Sequence, residues 1–166
     1  MQVELTAVLP VEKETLRNLL EKYNYEFSQY DLIPFNEEGL YGYRYLDSYF
    51  TQPDRAAWFI RADRHLAGFV LVNRHPDCGR PLDWAVAEFF VAYPFRRRGV
   101  GSAAMAEIFR RFKGNWQIKY HPRNETSAAF WQAVAERAAA GAVENVPGDS
   151  PYQDGSEARV LCFCVE

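Results

Sequence analysis

The sequence predicts a mixed α/β (α+β) domain: a mostly antiparallel sheet of about six to seven strands, helices on both faces, and one βαβ crossover near the middle. Three observations predict it. The apolar period switches repeatedly between the two of a strand and the 3.6 of a helix. Three strand-like runs follow one another across turn-forming segments, which makes an antiparallel meander. The last of these runs is joined to the next strand by one amphipathic helix, and a crossover of that kind places the two strands parallel.

Val3 to Val8 alternates as a first strand. Pro10 leads into Leu16, Leu19, Leu20, Tyr23 and Phe27, whose spacing is that of one long amphipathic helix. Asp31 to Gly39, with Pro34 and Gly39, breaks it, and a second short helix is expected over Tyr41 to Tyr49. Pro53 and Asp54 mark a turn. Ala57 to Ala62 and Leu66 to Asn73 read as a hairpin closed by Asp63 and Arg64, and His75 to Pro81 carries the chain on to Trp84 to Val91. That third run is apolar on both faces except for Glu88, so it belongs inside the sheet.

From Gly101 a helix presents Met105, Ile108, Phe109 and Phe112 on one face, and Gly114 stops it. Trp116 to Tyr120 is a short strand ended by His121 and Pro122. Thr126 to Ala140 is a helix packing Phe130, Ala133 and Val134. Two closing strands, near Ala142 to Val146 and Arg159 to Val165, flank a polar loop from Pro147 to Glu157 that is long for a hairpin; it either folds over the acceptor or, as is commoner for such loops, is simply mobile.

A chain of 166 residues is expected to form one domain, 1–166, and to bury roughly 70% of its unfolded surface without staples. Hydrophobic residues at 48% and charged ones at 25% exclude disorder, collagen and coiled coil. A net charge of -3 argues against a general nucleic-acid binder, which needs a broad positive field. Cys78, Cys162 and Cys164 have no metal-ligand spacing and are expected to be buried free thiols in a reducing compartment, and no metal is expected. With no leader and no apolar run long enough to span a bilayer, the expectation is a soluble cytoplasmic protein, monomer or homodimer, without membrane partners. The oddity is aromatic: seven of the ten tyrosines fall between Tyr23 and Tyr49.

Chemistry concentrates in Arg96-Arg97-Arg98-Gly99-Val100-Gly101-Ser102, between the buried strand and the following helix. A helix start offers unpaired amides and the positive end of a dipole, glycines let the backbone approach an anion, and arginines add forked donors. The pattern suits a pyrophosphate but is neither a Walker loop nor the three-glycine dinucleotide fingerprint. The plain alternative is three solvated arginines and two turn glycines.

The stretch Glu88-Phe89-Phe90-Val91-Ala92-Tyr93-Pro94-Phe95-Arg96-Arg97-Arg98-Gly99-Val100-Gly101 resembles the acetyl-CoA-binding core of the GNAT superfamily of N-acetyltransferases, with its R/Q-x-x-G-x-G/A motif. Asn124-Glu125-Thr126-Ser127-Ala128-Ala129-Phe130-Trp131 looks like the family's N-x-x-A-x-x-F-Y/W segment, at the usual spacing. The resemblance implies a gap between the strands at Trp84 to Val91 and Trp116 to Tyr120 that holds the pantetheine arm. It implies backbone contacts from Phe89, Phe90 and Val91. The amides of Arg97, Arg98, Gly99, Val100, Gly101 and Ser102 would cradle the pyrophosphate, Arg96 and Arg98 would add side-chain contacts, and Asn124 would lie beside the arm. Acetyl-CoA is the implied co-substrate, and an amine the acceptor.

Acetyl transfer to an amine needs a base and a proton for the departing thiolate. Glu88 is the candidate base, because burial in an apolar sheet raises a carboxylate's pKa. Its alternatives are a carboxylate paired with an arginine or one turned to solvent past a bulge. The family's tyrosine hydroxyl is missing, since Phe130-Trp131 stands there. The acid role is left to Tyr120 or His121, an N-terminal tyrosine, water, or nothing, and the plain reading of His121 is a structural hydrogen-bonder. The usual K-x-G-F after this helix is replaced by Ala138-Ala139-Ala140-Gly141-Ala142. Tyr41, Tyr43, Tyr45 and Tyr49 fall in the region that such proteins use to wall the acceptor, while Tyr23 and Phe27 read as core. The expected activity is N-acetylation of a primary amine of a small molecule or peptide in a ternary complex. The alternative is a non-catalytic CoA-binding or interaction module on the same fold.

Overall fold

Local sequence signals account for most element boundaries in the computed structural model, which describes residues 1–166. Strand β1 (Val3–Ala7) hands over through a short 3₁₀ turn to helix α1 (Lys13–Asp31), whose entry is fixed by the Leu9 N–H on Glu12 Oε2 at 3.0 Å. Leu32, at φ 60, turns the chain out of α1. Helix α2 (Ser48–Thr51) is followed by β2 (Arg55–Ala62), β3 (His65–Asn73) and β4 (Trp84–Val91). The β2–β3 turn places Asp63 and Arg64 at φ 47 and 71, the pair of left-handed residues that matches strand twist in a two-residue hairpin. Then come α3 (Val100–Arg111), β5 (Gly114–Tyr120), α4 (Glu125–Ala138), β6 (Glu144–Pro147) and β7 (Arg159–Val165).

The seven strands form one sheet in the order β1-β2-β3-β4-β5-β7-β6, and only β4 and β5 run parallel. Its two faces bury different sets. Ile60, Val70, Met105, Ile108, Trp116 and Leu161 pack under α3 and α4, while Leu16, Leu20, Phe59, Phe69 and Phe90 pack under α1. Each such side chain removed from water contributes roughly 1.5–3 kcal/mol. No helix is long and apolar enough to cross a membrane.

Two expectations are corrected here. The helix over Tyr41 to Tyr49 shrinks to Ser48–Thr51, because the Glu21 carboxylate on α1 accepts the Tyr41 and Gly42 amides at 2.8 Å each and holds that segment as an irregular wall. Of the three cysteines, Cys78 and Cys162 are buried with their sulfurs 3.5 Å apart. Cys164 lies past the end of β6, whose pairing with β7 stops at Cys162, and is exposed.

One local irregularity positions everything that follows. Between β3 and β4 the register runs Leu71↔Glu88 and then Val72↔Val86, so Ala87 is an extra residue on β4. Such a bulge bends its strand and strengthens its twist. Up to Val86 the strand pairs with β5 (Trp84↔Trp116, Ala85↔Gln117, Val86↔Ile118); beyond it the two diverge. On the other edge β4 stays tightly against β3, where a Cβ at Gly68 would lie 1.9 Å from the Phe90 carbonyl oxygen. Gly68→Ala, ordinarily favourable in a strand, should therefore cost about 3 kcal/mol, read as a lower urea midpoint at unchanged slope. An equal or higher midpoint would contradict this close approach.

Candidate functional site

Where β4 and β5 part, a cleft of about 1690 Å³ opens across the sheet. Its inner wall is the edge of β4 from Ala87 to Val91, whose backbone groups on that side no longer have β5 as a partner. Phe89 turns to the α4 side, stacks on Phe130 at 5.5 Å and meets Trp131 edge-on at 5.0 Å. Glu88 turns the other way, because the bulge points it at α1, where the Tyr43 hydroxyl donates to Oε1 at 3.3 Å and Tyr23 stands beside it. Burial pushes the Glu88 carboxyl up to about 7, and the two tyrosine hydroxyls and Lys119 only partly offset this. No arginine pairs with Glu88; it stands past the bulge, half-buried on the wall of the cleft.

At one end the cleft reaches the start of α3. Gly99 adopts φ 80, Arg97 φ 59, and the first α3 acceptor to be used is the Gly99 carbonyl, which takes the Ala103 N–H at 3.0 Å. The amides of Val100, Gly101 and Ser102 thus precede the helical ladder and face the cleft, where an anion would meet them. Gly101 serves packing as well, since a Cβ there would lie 3.2 Å from the Phe130 ring. The arginines divide. Arg97 lines the cleft, but the Arg96 guanidinium is taken by Glu26 in a two-pronged pair (2.6 and 2.7 Å) and by the Val91 carbonyl, tying α1 to the end of β4. Arg98 is exposed outside the cleft, 3.4 Å from the Pro94 carbonyl. Asn124 lines the cleft, but its side-chain oxygen caps α4 by accepting the Ser127 N–H at 3.1 Å.

At the other end the acid candidates Tyr120 and His121 line the cleft and are each engaged by partners within the fold. The Tyr120 hydroxyl accepts from Asn145 Nδ2 at 2.7 Å, directed to β6 and away from β4. His121, 1% exposed, has both ring nitrogens engaged: Nδ1 accepts the Arg123 N–H at 3.1 Å, which puts the proton on Nε2, 3.2 Å from Asp154 Oδ2. These contacts fit the plain reading of His121 as a structural hydrogen-bonder. The loop between β6 and β7 is what it holds. Asp154 also pairs with Arg123 at 2.7 Å, Gln153 N–H donates to Asp31, and Tyr152 stacks on His121 at 4.5 Å and Phe27 at 5.9 Å. The loop is strapped down with Tyr152 lining the cleft.

The tyrosine cluster also divides. Tyr43 and Tyr45 line the cleft, Tyr49 is buried beneath them, and Tyr41 packs on Phe35 outside it. Tyr23, read as core from its helical spacing, does pack against the α1-side core, edge-on to Phe69 at 5.9 Å, and also lines the cleft, while Phe27 lines the cleft. Helical period reports which residues share a face, not whether that face meets a sheet or a cavity. Tyr152 was missed because nothing in a polar loop marks one aromatic as inward.

The chain matches the acetyltransferase (GNAT) family over residues 14–135. It belongs to the GNAT acetyltransferase family. A search of the curated proteins finds no match. Among solved structures, an acetyltransferase from Thermus thermophilus is similar with a TM-score of 0.70 at 15% identity, covering 99% of this chain and 98% of that one. A protein described as histone acetyltransferase HPA2 and related acetyltransferase, from Corynebacterium glutamicum, gives 0.69 at 14%, covering 100% and 98%. The spermidine N-acetyltransferase of Vibrio cholerae, solved with CoA and spermine, gives 0.63 at 10%, covering 99% and 96%. These likenesses establish the fold.

As a GNAT protein the chain is an acetyl-CoA-dependent acyltransferase. Its residues fit that donor: a freed strand edge can pair with the amides of a pantetheine arm, and a helix start with left-handed Arg97 and Gly99 offers amides to a pyrophosphate. Trp131, 5% exposed and packed on Phe89, fills the place where family members carry a tyrosine.

The strap makes an acid-labile feature. Burial alone would raise the Asp154 carboxyl, but hydrogen bonds from Ser156, Arg123 and His121 outweigh it and hold the group well below its ordinary value of 3.8. Its stabilisation is therefore complete above that value and lost as pH falls below it. Asp154→Asn should lower Tm at pH 7 and flatten the acid limb of a Tm-against-pH curve. A curve parallel to wild type would show that the strap does not depend on this charge.

Proposed function

We propose that the protein N-acetylates a primary amine of a small molecule or peptide, by direct attack within a ternary complex, with Glu88 as the base. The observation that carries this reading is a carboxylate with its pKa pushed up to about 7, placed on the cleft wall at the bulge where the free edge of β4 begins. An ammonium ion must lose a proton before it can attack, and a base matched to neutral pH is efficient at taking it. Tyr23 and Tyr43 orient the carboxylate and donate to its ionised form.

The donor would lie along β4, its thioester near the backbone of Phe89, Phe90 and Val91, its pyrophosphate on the amides from Arg97 to Ser102, with Asn124 alongside. Arg97 rather than Arg96 would supply the cationic side chain, since Arg96 is held by Glu26. Bound acetyl-CoA supplies the activated acetyl group. We assign the proton for the departing thiolate to the Tyr152 hydroxyl because it lines the cleft and has no side-chain hydrogen-bond partner there; burial raises its pKa, which makes it a weak acid and its contribution modest. This replaces the family's tyrosine with one from the closing loop.

Acetyl-CoA at 100 times its Kd should stabilise the fold by about 2.7 kcal/mol, visible as a rise in Tm. An amine panel should then release CoA. Stabilisation without turnover on any amine would favour the non-catalytic alternative, to which the buried Trp131 lends some support.

The active form of Glu88 is the carboxylate, so kcat/KM should climb as pH rises through about 7. Glu88→Gln should lower kcat on the order of 10²-fold and remove that limb. A retained limb would exclude Glu88 as the base. Tyr152→Phe should lower kcat about tenfold with little change in KM for the donor; an unchanged kcat would return the acid role to water.

A further inference from the structure

Resting on the reading above, we infer that the acceptor carries a carboxylate several bonds away from its amine, and that Arg55 is the residue that recognises it. Arg55 opens β2 on the same face of the sheet as Glu88, because Arg55, Ala57 and Phe59 alternate toward α1. It pairs with Asn73, and two residues back along β3 Leu71 pairs with Glu88. Two strand spacings across and two residues along put the Arg55 and Glu88 Cα atoms about 12 Å apart. Both side chains line the cleft.

The guanidinium is built into place. It rests on the Tyr45 ring at 4.9 Å and the Tyr49 ring at 5.4 Å, with Nε donating to Gln52 Oε1 at 2.9 Å. Stacking fixes the plane of the fork. No carboxylate pairs with it; the neighbouring Asp54 is taken by His75 at 3.0 Å. Arg44 sits over the same Tyr45 ring at 4.9 Å and is likewise unpaired, so two positive charges share one aromatic plate. Arg55 alone of the two lines the cleft, and an uncompensated guanidinium at a cleft wall, with a second positive charge behind it, selects an anion; its fork matches a carboxylate.

Tyr43 bridges the two charged ends. Its hydroxyl reaches Glu88 and its ring lies 6.1 Å from that of Tyr45, so the floor between base and guanidinium is aromatic. A ligand spanning it has an amine at Glu88, an apolar stretch over the tyrosines and a carboxylate at Arg55. An α-amino acid, whose two charges share one carbon, is too short. An ω-amino acid or a peptide with an acidic residue next to its N-terminus fits.

The test uses matched pairs: ε-aminocaproate against its amide, and an Ala-Glu peptide against Ala-Gln, both peptides amidated at the C-terminus. Each is assayed by CoA release from acetyl-CoA and by the Tm rise it causes with CoA present. In wild type the acid should exceed its neutral partner by about 10- to 100-fold in kcat/KM, mostly through KM. The better of the two pairs tells a small molecule from a peptide. Arg55→Gln should collapse the ratio, and Arg55→Glu should make the diamine cadaverine, assayed beside the pairs, a better substrate than ε-aminocaproate, a reversal of the wild-type order that misfolding cannot produce. Equal rates for acid and amide, or an acid preference that survives Arg55→Glu, would overturn the inference while leaving N-acetylation intact. Selective Tm shifts by the acids with no CoA release would uphold it and sink the acetyl-transfer reading instead.

Discussion

The parting of β4 from β5 is the constraint on which the rest of this protein depends. A parallel pair joined by a crossover helix ordinarily continues side by side, yet here pairing stops at Val86 and Ile118. One extra residue, Ala87, is enough, because a bulge bends the strand that contains it and the β3 partner holds the other edge in place. The consequences are geometric. Backbone groups of β4 lose their partner strand and look into a cleft, the start of α3 lies at one end of that cleft, and Glu88 is turned from the α4 side to the α1 side. The proposed donor site, base and acceptor site therefore all trace to one irregularity.

Keeping the cleft open requires ties on both sides of it. Glu26 and Arg96 join α1 to the end of β4, and Asp154, His121 and Arg123 hold the β6–β7 loop against the end of β5. Arg123 also donates to the Tyr30 carbonyl at the end of α1, which closes the circuit. These polar pairs replace hydrogen bonds and packing that a continuous sheet would have supplied. They also explain why several residues of chemical character are occupied by structure: Arg96, His121 and Tyr120 are each committed to a partner within the fold.

The acceptor side owes its character to aromatic rings standing around few charges. Tyr23 and Tyr43 limit how far burial raises Glu88, and the ionised carboxylate is tolerated because two hydroxyls face it. Above about 7 the site holds a charge that is poorly solvated, so it costs stability in the pH range where the proposed base would be ionised. Tyr43, Tyr45 and Tyr49 then extend this wall to Arg55.

Much of the architecture was legible in the chain. Strand and helix periods, the Asp63-Arg64 turn and the run from Arg96 to Ser102 are local, and local sterics and hydrogen bonding act within a few residues, so they leave their mark on composition and spacing. Both family segments and the isolated charge of Glu88 belonged to the same class of signal. What the chain alone did not determine was which partner each polar group finds. Whether Arg96 meets an anion or Glu26, whether His121 is free or clamped, whether Tyr23 meets the cavity as well as the core, and where the Pro147 to Glu157 loop lies depend on residues dozens of positions away brought together by the sheet. Hydrogen bonds and burial are decided by distance in space, and only the tertiary structure sets that distance.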